Sequence, residues 1–404
     1  MTIQHTRKID SIKIDKLNGF VYPSSIGEIE QTITTDGLKN LSIQDQPILN
    51  REEILPISDN SSISNDLTAW DKFTDLLNRT IDSKSCFSQG IFSTYSLVYT
   101  GGDVYEGGVL NHNGDIHFIP NNAVVGQKIS SSGVVSTYSL VYTTTYAYRG
   151  GVLSPNGDIH FIPFYARVGQ KVNKNGIVST YALAYTGDYL YMGGVLSADG
   201  YVHFVPYRAA RGQKISPTGI VSTYSLVYTA TNTFRGGALS PNGDIHFVPY
   251  SATVGQKISA LGVVSTYSLL YHDLNSYQGG VLDENGDIHF IPYNALKGQK
   301  VSKNGVVSTY NLAYTSGHYW GGVFAHNGEV HFVPSLGTTI GQKIMNGVIS
   351  TYSLPISGYA SGVMLPNGDV HFIPCNANVG LKLSTLSAYP FSLGVCCHAF
   401  FNKF

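Results

Sequence analysis

Seven histidines share one local context. His117, His160, His203, His246, His289, His331 and His371 are each followed by Phe, then Ile or Val, then Pro. An imidazole on a strand can transfer protons, ligate a metal or satisfy a buried hydroxyl. A zinc-type site needs three or four donors converging on one ion, and seven equivalent rings, each in its own copy of a repeat, are too far apart to share one. The expected role is therefore structural, with each ring hydrogen-bonded to a Ser, Thr or Tyr hydroxyl on an adjacent strand. Rings buried in this way resist charging, so acid near pH 5 to 6 is expected to loosen the fold. Lys128, Lys171, Lys214, Lys257, Lys300, Lys343 and Lys382 repeat in the same manner and read as a solvated belt. The Asp after most Asn-Gly turns (Asp115, Asp158, Asp244, Asp287, Asp369) reads as turn chemistry, because Tyr201 and Glu329 replace it without altering the spacing.

No Ser-His-Asp set, metal-ligand set or phosphate loop stands out. The acids Asp103, Glu106, Asp188 and Asp273 are scattered over the variable loops, without a paired His except His272 beside Asp273, with His318 nearby. No catalytic residue, metal or cofactor is expected. A lyase or hydrolase remains an alternative, which would require a metal or a perturbed acid.

Comparison of the copies separates what builds the repeat from what is free to vary. One variable position follows an aromatic residue and precedes a Gly pair or its equivalent: Glu106, Arg149, Met192, Arg235, Gln278, Trp320 and Ala360. A second follows each His-Phe-X-Pro and includes Asn121-Asn122, Phe164-Tyr165, Tyr207-Arg208, Tyr250-Ser251, Tyr293-Asn294 and Cys375-Asn376. From Ile91 onward the arginines are Arg149, Arg167, Arg208, Arg211 and Arg235, all in variable segments of the second to fourth copies. Arg with Tyr is the chemistry of interface hot spots and of planar anions. The candidate ligand- or partner-binding residues are thus Arg149, Arg167, Tyr165, Tyr191, Tyr207, Arg208, Arg211, Arg235 and Trp320. An anionic partner or glycan, a protein interface without anion preference and a merely solvated rim all fit this set. Nucleic acid is not expected, since the chain has a net charge of −1 and too few basic residues to track a phosphate backbone.

These residues need a frame, and the repeat supplies it. Ser-Thr-Tyr recurs at Ser93, Ser136, Ser179, Ser222, Ser265, Ser308 and Ser350, at intervals of 43 residues and once 42. Within one copy, Gly150 to Leu153 lead through Asn156-Gly157 into Asp158 to Pro163, the two-residue hairpin signal. Gly169 to Val172 and Ile177 to Tyr185 add two more stretches of strand composition. Four antiparallel strands in about 40 to 45 residues are the signature of a β-propeller blade. The array opens with a fourth strand, 91–100, and ends after a third, so the first strand is expected to complete the last blade. The expected fold is an all-β, seven-bladed propeller over 91–384. The loops from strand four to one and from strand two to three share a face, and they carry nearly all the diversity.

The blade, with its Asn-Gly-Asp turn and His-Phe strand, resembles the repeat of the streptogramin-lyase-like seven-bladed propellers, in which Pro-Asp-Gly turns flank a Trp-Phe strand at similar spacing. Here His stands where that family usually has Trp, and Pro where it often has Glu. The family's catalytic His and Glu lie outside the blade motif and match no position in this chain, so the resemblance implies fold and does not carry lyase activity over. The repeat wording is also similar to that of uncharacterised repeat proteins of phages and large viruses. That resemblance implies a structural role in a multi-protein particle such as a virion. A carbohydrate-binding, lectin-like propeller is the alternative, but multivalent lectins repeat their binding residues, and here the mouth varies from blade to blade.

Residues 1–90 lie outside the repeat, with 9 Lys+Arg against 13 Asp+Glu. A helix is expected near 66–78, where Leu67, Trp70, Phe73 and Leu77 recur at helical spacing. This arm is expected to dock on the ring or on other protein subunits. The apolar tail 385–404 is too short to span a bilayer. No signal peptide is apparent, so synthesis in the cytoplasm is expected. Cys86, Cys375, Cys396 and Cys397 show no metal spacing and read as free thiols.

Overall fold

The computed structural model describes residues 90–384, together with the backbone of two short strands, Ile33–Thr35 and Leu41–Ile43. The chain divides into two compact units, Met1–Phe87 and Ser88–Phe404. In the first, the two short strands pair antiparallel, Ile33 opposite Ile43. The helix expected near 66–78, the tail 385–404 and Cys86, Cys396 and Cys397 lie outside the described residues.

The second unit contains seven four-stranded antiparallel sheets. Blade 1 runs Tyr105–Leu110, Ile116–Pro120, Val125–Ile129 and Val135–Ser139, from the central channel outward. Blades 2 to 6 repeat this order, beginning at Tyr148, Tyr191, Phe234, Tyr277 and Tyr319. Blade 7 takes its first three strands from Tyr359–Met364, Asp369–Pro374 and Val379–Ser384, and its outer strand from Ile91–Ser96. The expected closure is therefore present, with Ser93 opposite Lys382 and Tyr95 opposite Gly380. A closed ring leaves no open end that needs a cap.

The second strand of every blade is buried along its whole length, while the outer strand alternates between half-buried and exposed. Core clusters lie between neighbouring blades: Ile373 and Val363 of blade 7 pack with Tyr105 and Phe118 of blade 1. The second Gly of each pair is dictated by this packing. A Cβ at Gly151 would stand 2.5 Å from the Ile119 side chain of the preceding blade.

The repeated polar residues form one network, and it differs from the sequence expectation. His117 Nδ1 lies 3.2 Å from the Tyr138 hydroxyl, and the same pair recurs as His160–Tyr181, His246–Tyr267, His289–Tyr310 and His371–Tyr95. The tyrosine belongs to the outer strand rather than to an adjacent one, so its ring must cross the third strand. Glycine at Gly126 makes the crossing possible, because a Cβ there would stand 2.2 Å from the Tyr138 ring. In six blades two repeated motifs are thus one contact, in which the Tyr of Ser-Thr-Tyr lies over the Gly that opens Gly-Gln-Lys (Gly-Leu-Lys in blade 7) to reach the His; in blade 6 the Tyr352 hydroxyl donates instead to Phe332 O.

The lysines are not a free belt. Lys128 pairs with Asp115 at 2.7 Å, and Lys171–Asp158, Lys257–Asp244, Lys300–Asp287 and Lys382–Asp369 repeat the pair; Lys343 meets Glu329. Blade 3 has Tyr201 at this position, and Lys214 Nζ instead sits 4.2 Å from that ring's centroid. Asp244 and Asp369 feel burial that would raise their pKa, but hydrogen bonds from Lys257 and Lys382 outweigh it and the net shift is downward. The Gln of Gly-Gln-Lys, present in six blades and replaced by Leu381 in the seventh, is fully buried. Gln127 Oε1 accepts from the backbone N–H groups of Val98 and Tyr99 and so clips the loop entering its blade.

Candidate binding site at the channel mouth

The loops joining strand four to strand one and strand two to strand three meet on one face, as expected, and backbone hydrogen bonds stitch them together. Within blade 2, Phe164 N donates to Ala147 O; between blades, Ala147 N donates to Asn121 O, Thr233 N to Tyr207 O and Ser276 N to Tyr250 O. At these junctions one blade's second loop fixes the next blade's first loop, and side chains borne on either are held in place.

Two tiers of side chains result. The inner strand is bulged after its first residue: Tyr148 pairs with Pro163, and the next partner of the second strand, Phe161, pairs with Gly151. In blades 1 to 5 the first Gly of the pair carries the bulge at positive φ (+76° at Gly150, +85° at Gly193), and a Cβ at Gly150 would be 2.9 Å from Gly193 Cα. Glycine is required there by both conformation and space. The bulge sets the preceding variable residue beside its counterpart 43 residues on. Arg149 Nε is ion-paired with Glu106 Oε2 at 3.0 Å, Arg149 Nη1 lies 3.9 Å from Met192 Sδ, and Arg235 Nη1 donates to Gln278 Oε1 at 2.8 Å.

The second tier is an aromatic arc. Phe164, Tyr207, Tyr250 and Tyr293, from blades 2 to 5, follow one another with centroid separations of 5.7, 6.2 and 5.9 Å, and Tyr293 continues to His318 at 4.9 Å. The guanidiniums lie on these rings. Arg149 is 4.1 Å from the Phe164 centroid, Arg235 is 3.6 Å from Tyr250 and 5.2 Å from Tyr207, and Arg208 is 5.7 Å from Tyr207. Burial pushes the Tyr250 hydroxyl up to about 12 even though the charges of Arg235 and Arg149 pull it down. The corresponding positions across the ring are Ser335, Cys375 and Asn121. Burial and the neighbouring Glu106 and Asp103 charges push the Cys375 thiol up, so it is not a nucleophile at neutral pH.

Of the candidates read from sequence, Arg149, Tyr165, Tyr207, Arg208 and Arg235 come together here, with Tyr165 against Tyr189 at 5.1 Å. Arg167 is exposed and paired with Asp188 at 2.9 Å. Trp320 is half-buried on the inner strand of blade 6. Arg211 is exposed at the start of the third strand of blade 3, in register with Ser225 in the outer half of the blade. Tyr191 is not a mouth residue. It is 1% exposed and its hydroxyl donates to Arg211 O, as Tyr105, Tyr148 and Tyr277 do to the matching carbonyls of their blades. An aromatic residue present in all seven copies belongs to the blade, by the same logic that assigned the histidines.

Sequence reasoning missed Tyr146 and Tyr189. Both have positive φ, +56° and +60°, at a position where blades 1, 4 and 5 carry Asp103, Asn232 and Asn275, also at positive φ. Asp and Asn tolerate this conformation and Tyr does not. The signal was a Tyr in a register otherwise held by left-handed-tolerant residues. Tyr146 stands 5.6 Å from the Arg149 guanidinium; Tyr189 lies 5.2 Å from that of Arg208 and 5.0 Å from the Phe164 ring.

Among solved structures, a streptogramin B lyase superposes on 74% of this chain and 98% of its own, with a TM-score of 0.65 and 19% identity. The chain has the fold of the streptogramin lyases. A virginiamycin B lyase from Staphylococcus aureus, determined with quinupristin, gives a TM-score of 0.64 at 15% identity over 73% of this chain and 99% of that one. The extracellular domain of a hybrid two-component system from B. thetaiotaomicron gives 0.57 at 12% identity over 73% of this chain and 41% of that one. Identities of this size establish the propeller fold alone. No protein-family model matches the chain, and no curated protein does.

Proposed function

We propose that the protein is a non-catalytic binding module whose channel mouth, on blades 2 to 5, takes one anionic ligand or partner. The observation that carries this reading is the strained backbone of Tyr146 and Tyr189. A non-glycine residue in this region costs on the order of 1–3 kcal/mol, least for Asp and Asn. Two tyrosines hold that conformation in blades 2 and 3, where their rings flank Arg149 and Arg208. Strain kept where the scaffold elsewhere uses a relaxed residue favours a role for the rings themselves.

The asymmetry supports a single partner. In the second tier aromatic residues occupy blades 2 to 5 and Ser335, Cys375 and Asn121 occupy blades 6, 7 and 1, while the arginines fall in blades 2 to 4, so a repeated, lectin-like set of sites does not fit. The particle role expected for arm 1–90 concerns residues outside those described.

The test is a binding panel of immobilised acidic and neutral oligosaccharides and acidic peptides, comparing wild type with the Tyr189→Asn, Arg208→Ala double variant. Binding of acidic members, weakened at least about tenfold in the variant, is the expected result. Equal binding by both proteins, or no acidic member bound, would overturn the reading. Turnover of a bound member that is lost on His318→Ala would make the protein an enzyme instead.

A further inference from the structure

The mouth cations are not equally neutralised. Arg149 has Glu106 at 3.0 Å and Arg167 has Asp188 at 2.9 Å. Arg235 has no carboxylate partner among the described residues. Its Nη1 donates to a neutral amide, Gln278 Oε1, and its Nη2 to the Tyr207 hydroxyl at a long 3.3 Å. Its Nε is buried with no acceptor among the described residues. The Tyr250 and Tyr207 rings hold the half-buried guanidinium in place at 3.6 and 5.2 Å. Arg208, exposed beside the same Tyr207 ring, has no carboxylate partner among the described residues and donates from Nε to the Asn232 side-chain oxygen at 2.9 Å.

A fixed guanidinium in a partly desolvated place, with unused donors and no countercharge, is complementary to an oxyanion, whose two oxygens match its fork. The neighbouring groups suit the same ligand. Tyr207 offers a hydroxyl, and the Tyr250 hydroxyl, held up at about 12, stays protonated at neutral pH. The nearest acid of the inner tier, Glu106, is already engaged by Arg149.

We propose that Arg235 is an oxyanion seat: the guanidinium held between Tyr207 and Tyr250 takes one carboxylate or sulfate group of the mouth ligand, and Arg208 supplies a second, exposed charge. This rests on the binding role proposed for the mouth and names the chemical group that the mouth recognises.

The experiment uses the full chain with sodium sulfate and sodium acetate as probes, each against sodium chloride at matched ionic strength, read by calorimetric titration and thermal shift. Both anions are expected to bind wild type. Arg235→Gln is expected to raise the dissociation constant at least tenfold, and Arg235→Lys less, because charge is kept and the fork is lost. Arg208→Gln, at an exposed site with no risk to folding, is expected to raise it about threefold. Anion effects that are the same in wild type and in both glutamine variants would reflect general salt exclusion and overturn the seat, as would no binding to wild type. The anion that binds the tighter of the two tells a carboxylate-bearing ligand from a sulfated one. Panel binding that depends on Tyr189 and Arg208 without any response to these ions refutes the seat and leaves the mouth standing. Ion binding lost in Arg235→Gln with no acidic member bound in the panel does the reverse.

Discussion

Lowering the pH from 7.5 to 5 should remove a large part of the ring's stability through the invariant histidines. Burial drives His117, His160, His203, His246 and His371 from 6.5 down to about 4, with smaller contributions from a neighbouring Lys, which lowers it further, and a neighbouring Asp, which opposes the shift. The folded value lies below the unfolded one, so the stabilisation is complete above pH 6.5 and declines as pH falls toward 4. At pH 5 the unfolded ring is almost fully protonated and the folded one hardly at all. The cost is then about 2 kcal/mol per ring, or about 10 kcal/mol for the five, against the roughly 5–15 kcal/mol that stabilise a typical domain. The sum runs over these five rings alone; His289 and His331 differ in having a carboxylate beside Nε2, Asp283 at 3.2 Å and Glu329 at 2.9 Å. The buried carboxylates do not confuse the window: Asp244 and Asp369 are shifted downward and Glu329 lies at about 2. Denaturant unfolding at half-unit pH steps, with histidine resonances followed in parallel, measures the effect. A midpoint that does not move between pH 7.5 and 5 would refute the reasoning. The sequence placed the transition at pH 5 to 6; the depth of burial widens it to the whole span from 6.5 to 4.

Gly126→Ala should destabilise by about 1–3 kcal/mol, because the new methyl displaces the Tyr138 ring from His117; equilibrium unfolding reads this, and an unchanged midpoint would mean that the ring moves at no cost. Tyr189→Asn should stabilise the fold by about 1 kcal/mol while weakening ligand binding, a trade seen by pairing a melt with the binding panel. Tyr201→Asp should give Lys214 the carboxylate that the other blades supply, and, since such half-exposed pairs are weak, shift stability by no more than about 1 kcal/mol. Tyr138→Phe should cost about 1 kcal/mol by leaving His117 Nδ1 unpaired, with the loss read by denaturant titration at pH 7.5.

The architecture was legible because it is written seven times, and the permuted start at Ile91 disclosed the closure. What the repeat hid was which invariant residues meet. Tyr138 and His117 are on strands that are not neighbours, and only the register of Gly126 opposite Tyr138 shows why the pair can form. Lys128 and Asp115 looked independent because the ion pair runs diagonally across the hairpin; Tyr201 was the clue, as the one blade without an acid keeps its lysine on a ring. At the mouth, residue type revealed the arginines and the aromatic arc but could not reveal backbone sign. Tyr146 and Tyr189 were therefore overlooked, and Tyr191, invariant in kind, was placed at the mouth although it belongs to the core.

The closure of blade 7 imposes an order in time. Tyr95 must wait for His371, 276 residues later. At 5–20 residues per second of synthesis that is roughly 14–55 s during which the first strand has emerged and its partner does not yet exist. Through that interval blade 1 faces no seventh neighbour, and the row of backbone donors and acceptors on Ile91–Ser96 is open to any other strand. Once the last strand arrives, the two distant ends of the ring hold each other, and no blade can detach without parting them.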